Sequence, residues 1–401
     1  MDTTLIIAGE TYSPNVGDGA IAQSLSFLFE NAVPGLDVRL LDISARETWA
    51  GERTSASGST PRGFKLPSVR RLIGSRAVNV VRWQLQQGRH ARARWPEQLR
   101  SASGLIIGGG LLIMDNNLDF PLKLSALVRM AQNQGVPVHF AACGVGNNRP
   151  WSNSGRRLLH QALSAAETVT LRDAISQHKL AEFMPDIATE VTLDPAVFAR
   201  DVFGPPVDMP GSEVVGLGVI HVDKINAYNR DKPQLTSADT CAFWLELAAL
   251  LLRQGVRPSF FCNGSERDHQ FAQEIAAQAR RQHGLEIPVE PRPTRPAQLA
   301  HTIARFSGVV VFRLHASILA TAYRIPSVGL AWDRKVPAFY SETNRDDLCF
   351  SLYDCTPGDV VEALQRAMAA GISAEDLTAW KARARRSVTV PLRRMGIGAL
   401  P

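Results

Sequence analysis

The run FRLHASILATAYRIPSVGLAWDRKV, from Phe312 to Val336, sets Arg313, His315 and Lys335 around one short helical pattern. A guanidinium fork, an imidazole and an ammonium are groups that grip a phosphate or carboxylate and move a proton beside it. The preceding GVVVFRL is apolar and β-branched, as a strand buried on both faces must be, and Ile318, Leu319 and Ala322 then share one helical face. His315 is therefore expected at a helix N-terminus, where unpaired N–H groups and the helix dipole favour negative charge. Pro326 opens a second apolar run, SVGLAW, that ends at Asp333, Arg334 and Lys335. Ligands of open α/β sheets bind at the carboxyl ends of strands, so adjacent strand ends would aim these cations into one crevice.

Two glycine-rich turns in the amino-terminal half also follow apolar strands. In TLIIAGETYSPNVGDGAIAQSLSFLFENA, Asn15, Gly17, Asp18 and Gly19 read as a turn that admits close backbone approach, with Ile21, Leu25 and Leu28 on the buried face of the next helix. In SGLIIGGGLLIMDNNLDF, Gly108, Gly109 and Gly110 follow the strand directly, with Asp115, Asn116, Asn117 and Asp119 beyond. Neither turn has the spacing of a dinucleotide fingerprint or the GK[ST] ending of a P-loop.

Past Arg172, in TLRDAISQHKL, and Asp194, in VTLDPAVF, the motifs form an ordered series. They are N-x-G-D (Asn15 to Asp18), GGG with a downstream Asp (Gly108 to Asp115), ACGVG (Ala142 to Gly146), LRD (Leu171 to Asp173), DPA (Asp194 to Ala196), RLH (Arg313 to His315) and WDRKV (Trp332 to Val336). In this series the chain resembles the polysaccharide pyruvyl transferases. The resemblance implies two Rossmann-like α/β domains arranged as in type-B glycosyltransferases, and transfer of pyruvate from phosphoenolpyruvate onto a sugar hydroxyl pair as a ketal in bacterial surface-polysaccharide assembly. His315 would be the catalytic residue, and Arg172, Arg313 and Lys335 would bind the donor, with Arg334 as a rival to Lys335. Asn15, Asp18, Gly108, Gly109, Gly110 and Asp115 would form the acceptor-side loops. No metal or cofactor is implied; phosphoenolpyruvate is a co-substrate.

The residue types suit that chemistry. Phosphoenolpyruvate carries a phosphate and a carboxylate close together, which calls for several cations or helix N–H donors in a small space. Ketal formation needs a proton on the methylene carbon, attack of a sugar hydroxyl on the neighbouring carbon, and departure of phosphate before a second hydroxyl closes the ring. An imidazole with a reference pKa of about 6.5 gives and takes protons near neutrality. A glycosyltransferase of the same architecture using a nucleotide sugar is the second reading, with Glu266 and Asp268 as candidate ribose-binding acids. A non-catalytic, membrane-associated assembly factor is the third.

At 401 residues and 45% hydrophobic content the chain has material for two cores. Strands and helices alternate over 1–202, a proline-rich linker spans 203–213, a second alternating series fills 214–372, and a closing helix and tail occupy 373–401. In the second series, strands are expected at VVGLGVIHV, RPSFF and IPVE, and helices at 237–255, 266–283 and 296–306. The last helix, SAEDLTAWKARARRSV, is expected to open on Ser373 and to cross back to the first domain. Five cysteines without C-x-x-C spacing and nine histidines without H-E-x-x-H spacing indicate neither a disulfide framework nor a zinc site. His139 and His221, in apolar runs, read as satisfied core residues.

Charge is uneven. Residues 61–100 hold ten Lys or Arg against Glu97 alone, a net +9 in a chain of +6, so the rest carries −3. With Val78, Val81 and Trp83 interleaved, this insertion reads as a basic amphipathic helix for an anionic membrane surface. It lacks a nucleic-acid recognition motif, so nucleic acid is not the expected partner. No span or secretory signal is visible, and a cytoplasmic enzyme, peripheral on the inner membrane face and acting on a lipid-linked oligosaccharide or polysaccharide sugar, is the expectation.

Overall fold

The computed structural model describes residues 3–49, 76–146, 150–206 and 214–398. Its chain forms two compact units, each around one parallel sheet. The first comprises Met1–Ser13, Ile21–Pro195 and Arg383–Pro401; the second comprises Pro14–Ala20 and Ala196–Ala382. Most of the proline-rich passage, 207–213, lies outside the described residues, as do 50–60 and the first part of the basic insertion, 61–75.

The first unit's strands are β1 (Thr4–Gly9), β2 (Asp37–Asp42), β3 (Gly104–Gly108), β4 (Val138–Cys143), β5 (Thr168–Leu171) and β6 (Glu190–Val191), in spatial order β2-β1-β3-β4-β5-β6. All neighbours pair in parallel. LIIA of β1 and LII of β3 are wholly buried because helices cover both faces. In this order the chain leaves β1 in one direction for β2 and in the other for β3, which puts a switch-point crevice at the carboxyl ends of β1 and β3. The Gly108–Gly110 turn stands there. Gly109 and Gly110 have φ of 74° and 76°, and a Cβ on Gly109 would overlap Ile21, so only glycine fits.

The second unit's strands are β7 (Val214–Gly218), β8 (Arg257–Phe261), β9 (Gly308–Val311), β10 (Ser327–Ala331) and β11 (Cys349–Ser351), in order β11-β10-β9-β7-β8. They too pair in parallel. Their switch point falls at the ends of β7 and β9. Between β9 and β10 runs the helix Leu314–Ala322, every residue of which is buried. A short helix buried on every side belongs inside a core, and here it packs beside Leu299, Ile303 and Val309.

Several elements depart from the expected ones. IPVE forms no strand, only a single bridge from Val289 to Phe260. Pro288 has no N–H for a ladder, and Pro291 follows three residues later. Asn15 to Gly19 is not a free turn: the helix Val16–Ala32 already includes Gly17, Asp18 and Gly19. Asp18 near the positive end of the dipole and the Asn15 Nδ2 to Asp18 Oδ2 bond of 3.1 Å offset the low helix propensity of two glycines. The last helix runs from Ala374 to Met395, past Val388 and through Pro391, with Ser373 Oγ accepting from Asp376 N at 2.9 Å.

Within the insertion, residues 76–82 are helical, Trp83–Gln87 form a π-helical turn, and Gly88–Leu99 continue as α-helix. Trp83 is not available to a membrane. It is buried with Ala91, Trp95 and Leu99 in the first unit's core, its ring 6.0 Å from that of Trp95.

Candidate functional site

In the second unit, β9 ends at Val311 and the chain reaches Arg313, the N-cap of the following helix, with His315 in its first turn. His315 is 8% exposed. Its Nδ1 lies 3.7 Å from Asp18 Oδ1, an ion-pair distance rather than a hydrogen bond. Gly17 lies against the ring: a Cβ there would stand 2.5 Å from Nδ1. The segment 14–20 is fixed to this unit at a further point, where Val16 N–H donates to Asn263 O at 3.1 Å in the loop after β8. Gly264, at φ +103°, leaves room there for Pro14 O, 2.6 Å from where its Cβ would be. N-x-G-D and RLH, at opposite ends of the sequence, thus meet in one unit.

Arg313 has a side chain only 14% exposed and paired through Nη2 with Asp268 Oδ2. Its buried Nε has no hydrogen-bond partner among the described residues. A nearly dry guanidinium with an N–H left over is a donor placed to meet an acceptor. Asp268, 2% exposed, also accepts the His221 N–H at 3.0 Å. His221 is therefore not the core residue its surroundings in sequence suggested. It ends the passage from β7 and caps the next helix, with Nδ1 accepting from Asp223 N at 3.2 Å. Asp268 is no solvent-facing ribose ligand either, since both its oxygens are engaged inside the fold. The S-x-x-D pattern at Ser265 was legible as a helix start; that its carboxylate reaches Arg313 was not.

Lys335 follows β10, the sheet neighbour of β9. Its Nζ stands 2.9 Å from Asp333 Oδ2, over the rings of Tyr228 at 5.5 Å and Trp332 at 5.6 Å. Trp332 Nε1 donates to Phe312 O at 2.7 Å and so ties this turn to the one that carries Arg313. Arg334 is exposed. Lys335 is the cation that the aromatic walls hold in place.

Arg172 belongs to the first unit, at the end of β5. It is 4% exposed, with Nη1 3.3 Å from Asp194 Oδ2 and Nε 3.5 Å from Asp173 Oδ2. Its guanidinium lies on Gly144, where a Cβ would stand 2.9 Å from Nη2. The glycine of ACGVG and the aspartates of LRD and DPA are thus one packing arrangement around a buried arginine. Asp115 accepts from Leu118 N at 2.8 Å, Ser152 N at 2.7 Å and Ser152 Oγ at 2.6 Å, and so anchors the N-cap of the helix Asn153–Ser164. At the ends of β1 and β2, a network unremarked in the sequence joins Glu10, Asp42, Ser44, Arg46, Asp119 and Lys123. Burial pushes the Asp42 carboxyl above its ordinary range against the pull of Arg46.

Burial holds the Cys143 thiol at about 12 and the Cys262 thiol at about 11, so neither is a thiolate nucleophile at neutral pH. Among the described residues no group of three or more His, Cys, Asp or Glu gathers as a metal site, and no helix is long and apolar enough to cross a membrane. Two surface hollows, lined by Arg156, His160 and Asp186 and by Arg292, His301 and Arg305, contain none of the expected residues.

Solved structures of the same fold include the UDP-GlcNAc 2-epimerase from Methanocaldococcus jannaschii (10% identity, TM-score 0.57, 98% of this chain and 100% of that one). The UDP-GlcNAc 2-epimerase from Neisseria meningitidis bound to UDP-GlcNAc is similar too (10% identity, TM-score 0.55, 98% and 100%). So is a putative UDP-N-acetylglucosamine 2-epimerase from Listeria monocytogenes (12% identity, TM-score 0.56, 100% of both). At such identities the likeness is one of fold. No curated protein matches the chain. The model of the family described as polysaccharide pyruvyl transferase matches residues 15–334, from the Asn15 that bonds Asp18 to the Arg334 that precedes Lys335. The chain belongs to the polysaccharide pyruvyl transferase family, and is an enzyme that transfers pyruvate from phosphoenolpyruvate to a sugar acceptor.

Proposed function

We propose that the enzyme forms a pyruvate ketal on a sugar of a bacterial surface polysaccharide or its lipid-linked precursor, with His315 as the proton-transfer residue. The observation that carries this reading is the placement of His315 and Arg313 at the end of β9, beside the second unit's switch point, with Asp18 3.7 Å from the imidazole Nδ1. A carboxylate on the Nδ1 side favours the tautomer that exchanges protons through Nε2. His315 then protonates the methylene carbon and takes the proton of the attacking hydroxyl, while Arg313 and Lys335 bind the donor's phosphate and carboxylate and stabilise the departing phosphate. Arg172 is assigned to donor binding by family resemblance alone. The acceptor is assigned to the β1/β3 crevice of the first unit, with its Gly108–Gly110 turn.

Phosphate release from phosphoenolpyruvate, followed with galactose, glucose and mannose acceptors, tests the reading. His315→Ala should lose roughly 10²–10⁴-fold in turnover while donor binding persists. Arg172→Ala, Arg313→Ala and Lys335→Ala should each raise the KM for phosphoenolpyruvate. Near-normal turnover in His315→Ala removes the imidazole from the chemistry.

The finer location belongs to the same reading: a peripheral enzyme held at an anionic membrane face by the helical part of the basic insertion. Val81 and Leu85, 48% and 56% exposed, are two of the three large apolar residues on the described surface, and the exposed Arg82 and Arg89 flank them. Apolar side chains among cations suit anionic headgroups.

A further inference from the structure

The geometry assigns to Asp268 the role of positioning residue for the donor site: it holds Arg313 in one orientation by tying together the two strand ends that flank the second unit's switch point. This rests on the donor-site reading above and deepens it.

Asp268 sits in the first turn of the helix Glu266–His283, which follows β8, and its own N–H is capped by Ser265 Oγ at 3.4 Å. From there its carboxylate reaches two neighbours that are distant in sequence. Oδ1 accepts the backbone N–H of His221, past the end of β7. Oδ2 takes Nη2 of Arg313, past the end of β9. β7 and β9 are the strands between which the sheet order reverses, so one buried carboxylate braces both walls of the crevice.

The consequence for Arg313 is geometric. A free arginine side chain samples many rotamers and loses that freedom when it binds. With Nη2 held by a carboxylate that is 2% exposed, the guanidinium plane is fixed, and the buried Nε is left without a partner of its own among the described residues. The partner is also a cost: a buried anion beside the donor's phosphate and carboxylate would weaken binding by repulsion. Its retention in so anionic a site makes sense where orientation outweighs the loss of net charge.

Asp268→Asn separates the two duties, because its amide oxygen can still accept the His221 N–H while the negative charge that faces Arg313 is lost. Steady-state kinetics of the full-length enzyme should show the KM for phosphoenolpyruvate raised about tenfold and the acceptor KM unchanged. In an Arg313→Ala background the same substitution should add nothing, since there is no guanidinium left to orient. An unchanged donor KM in Asp268→Asn overturns the proposal. So does a rise that persists undiminished in the Arg313→Ala background, which would make Asp268 a general brace of the fold. Should Asp268→Asn not fold, Asp268→Glu displaces the carboxylate by one methylene and is read in the same way. If Arg313→Ala alone leaves the donor KM unchanged, the donor-site reading itself fails, and the proposal with it.

Discussion

Gly17 lies against the imidazole of His315, with room for a hydrogen and none for a methyl. Gly17→Ala should therefore push the ring from its place beside Asp18 without disturbing the sheet. A displacement of this size costs ~10²-fold in turnover where the group is a proton donor. Circular dichroism unchanged, with phosphate release reduced to that degree, is the expected result; full activity would show that the ring's position is not critical.

Asp194 and Asp173 flank Arg172 in a site almost closed to water. Asp194→Asn leaves a buried guanidinium short of a counter-charge, a loss on the order of 3 kcal/mol. Urea unfolding should register it, and Asp194→Leu should be worse, because it also removes the hydrogen-bond acceptor.

His139 is fully buried on β4, with Nδ1 2.9 Å from Thr168 Oγ1, and burial lowers its pKa to about 4. Its folded value lies below the unfolded one of about 6.5, so the unfolded chain binds the proton first as pH falls. Stability from this residue is present above pH ~6.5 and is lost towards pH ~4, with about 2 kcal/mol gone by pH ~5. Urea midpoints measured at pH 7 and pH 5 should differ less in His139→Asn than in the wild type. An equal difference in both would place the acid sensitivity elsewhere.

Val81→Ser with Leu85→Ser, and separately Arg82→Gln with Arg89→Gln, should each reduce binding to anionic vesicles. Each arginine is worth about 1 kcal/mol at the surface, and salt should weaken what remains. Activity on a short soluble acceptor should survive. Equal affinity of the wild type for neutral and anionic vesicles would argue against electrostatic docking.

The fold was legible wherever a local pattern decides it. Apolar runs marked β1, β3, β7, β9 and β10, and the helix Glu266–His283 appears with the bounds read from its sequence because Ser265 and Gly284 close its two ends. The RLH turn likewise stands at a strand end and helix start, as its pattern demanded. What escaped were partnerships across the chain. Nothing near Asp18 points to His315, and nothing near Asp268 points to Arg313 or His221, because such pairs form through sheet order, which spacing does not encode. Trp83 misled for a related reason: among so many basic residues a tryptophan suits a membrane face as well as a core, and only the packing of Trp95 beside it decides.

The second unit is discontinuous: residues 14–20 belong to it, yet the chain then spends Ile21–Pro195 on the first unit before returning at Ala196. During synthesis the segment that cradles His315 emerges early and waits for roughly 300 residues before its partner exists, a long loop to close. The first unit waits as well, since Arg383–Pro401 belongs to it and Leu392 there is fully buried. A polypeptide severed between Pro195 and Ala196 would therefore not yield two self-sufficient halves. The carboxy-terminal fragment would lack Gly17 and Asp18, and the amino-terminal one would lack its last helix. Complementation should recover activity only when both fragments are refolded together.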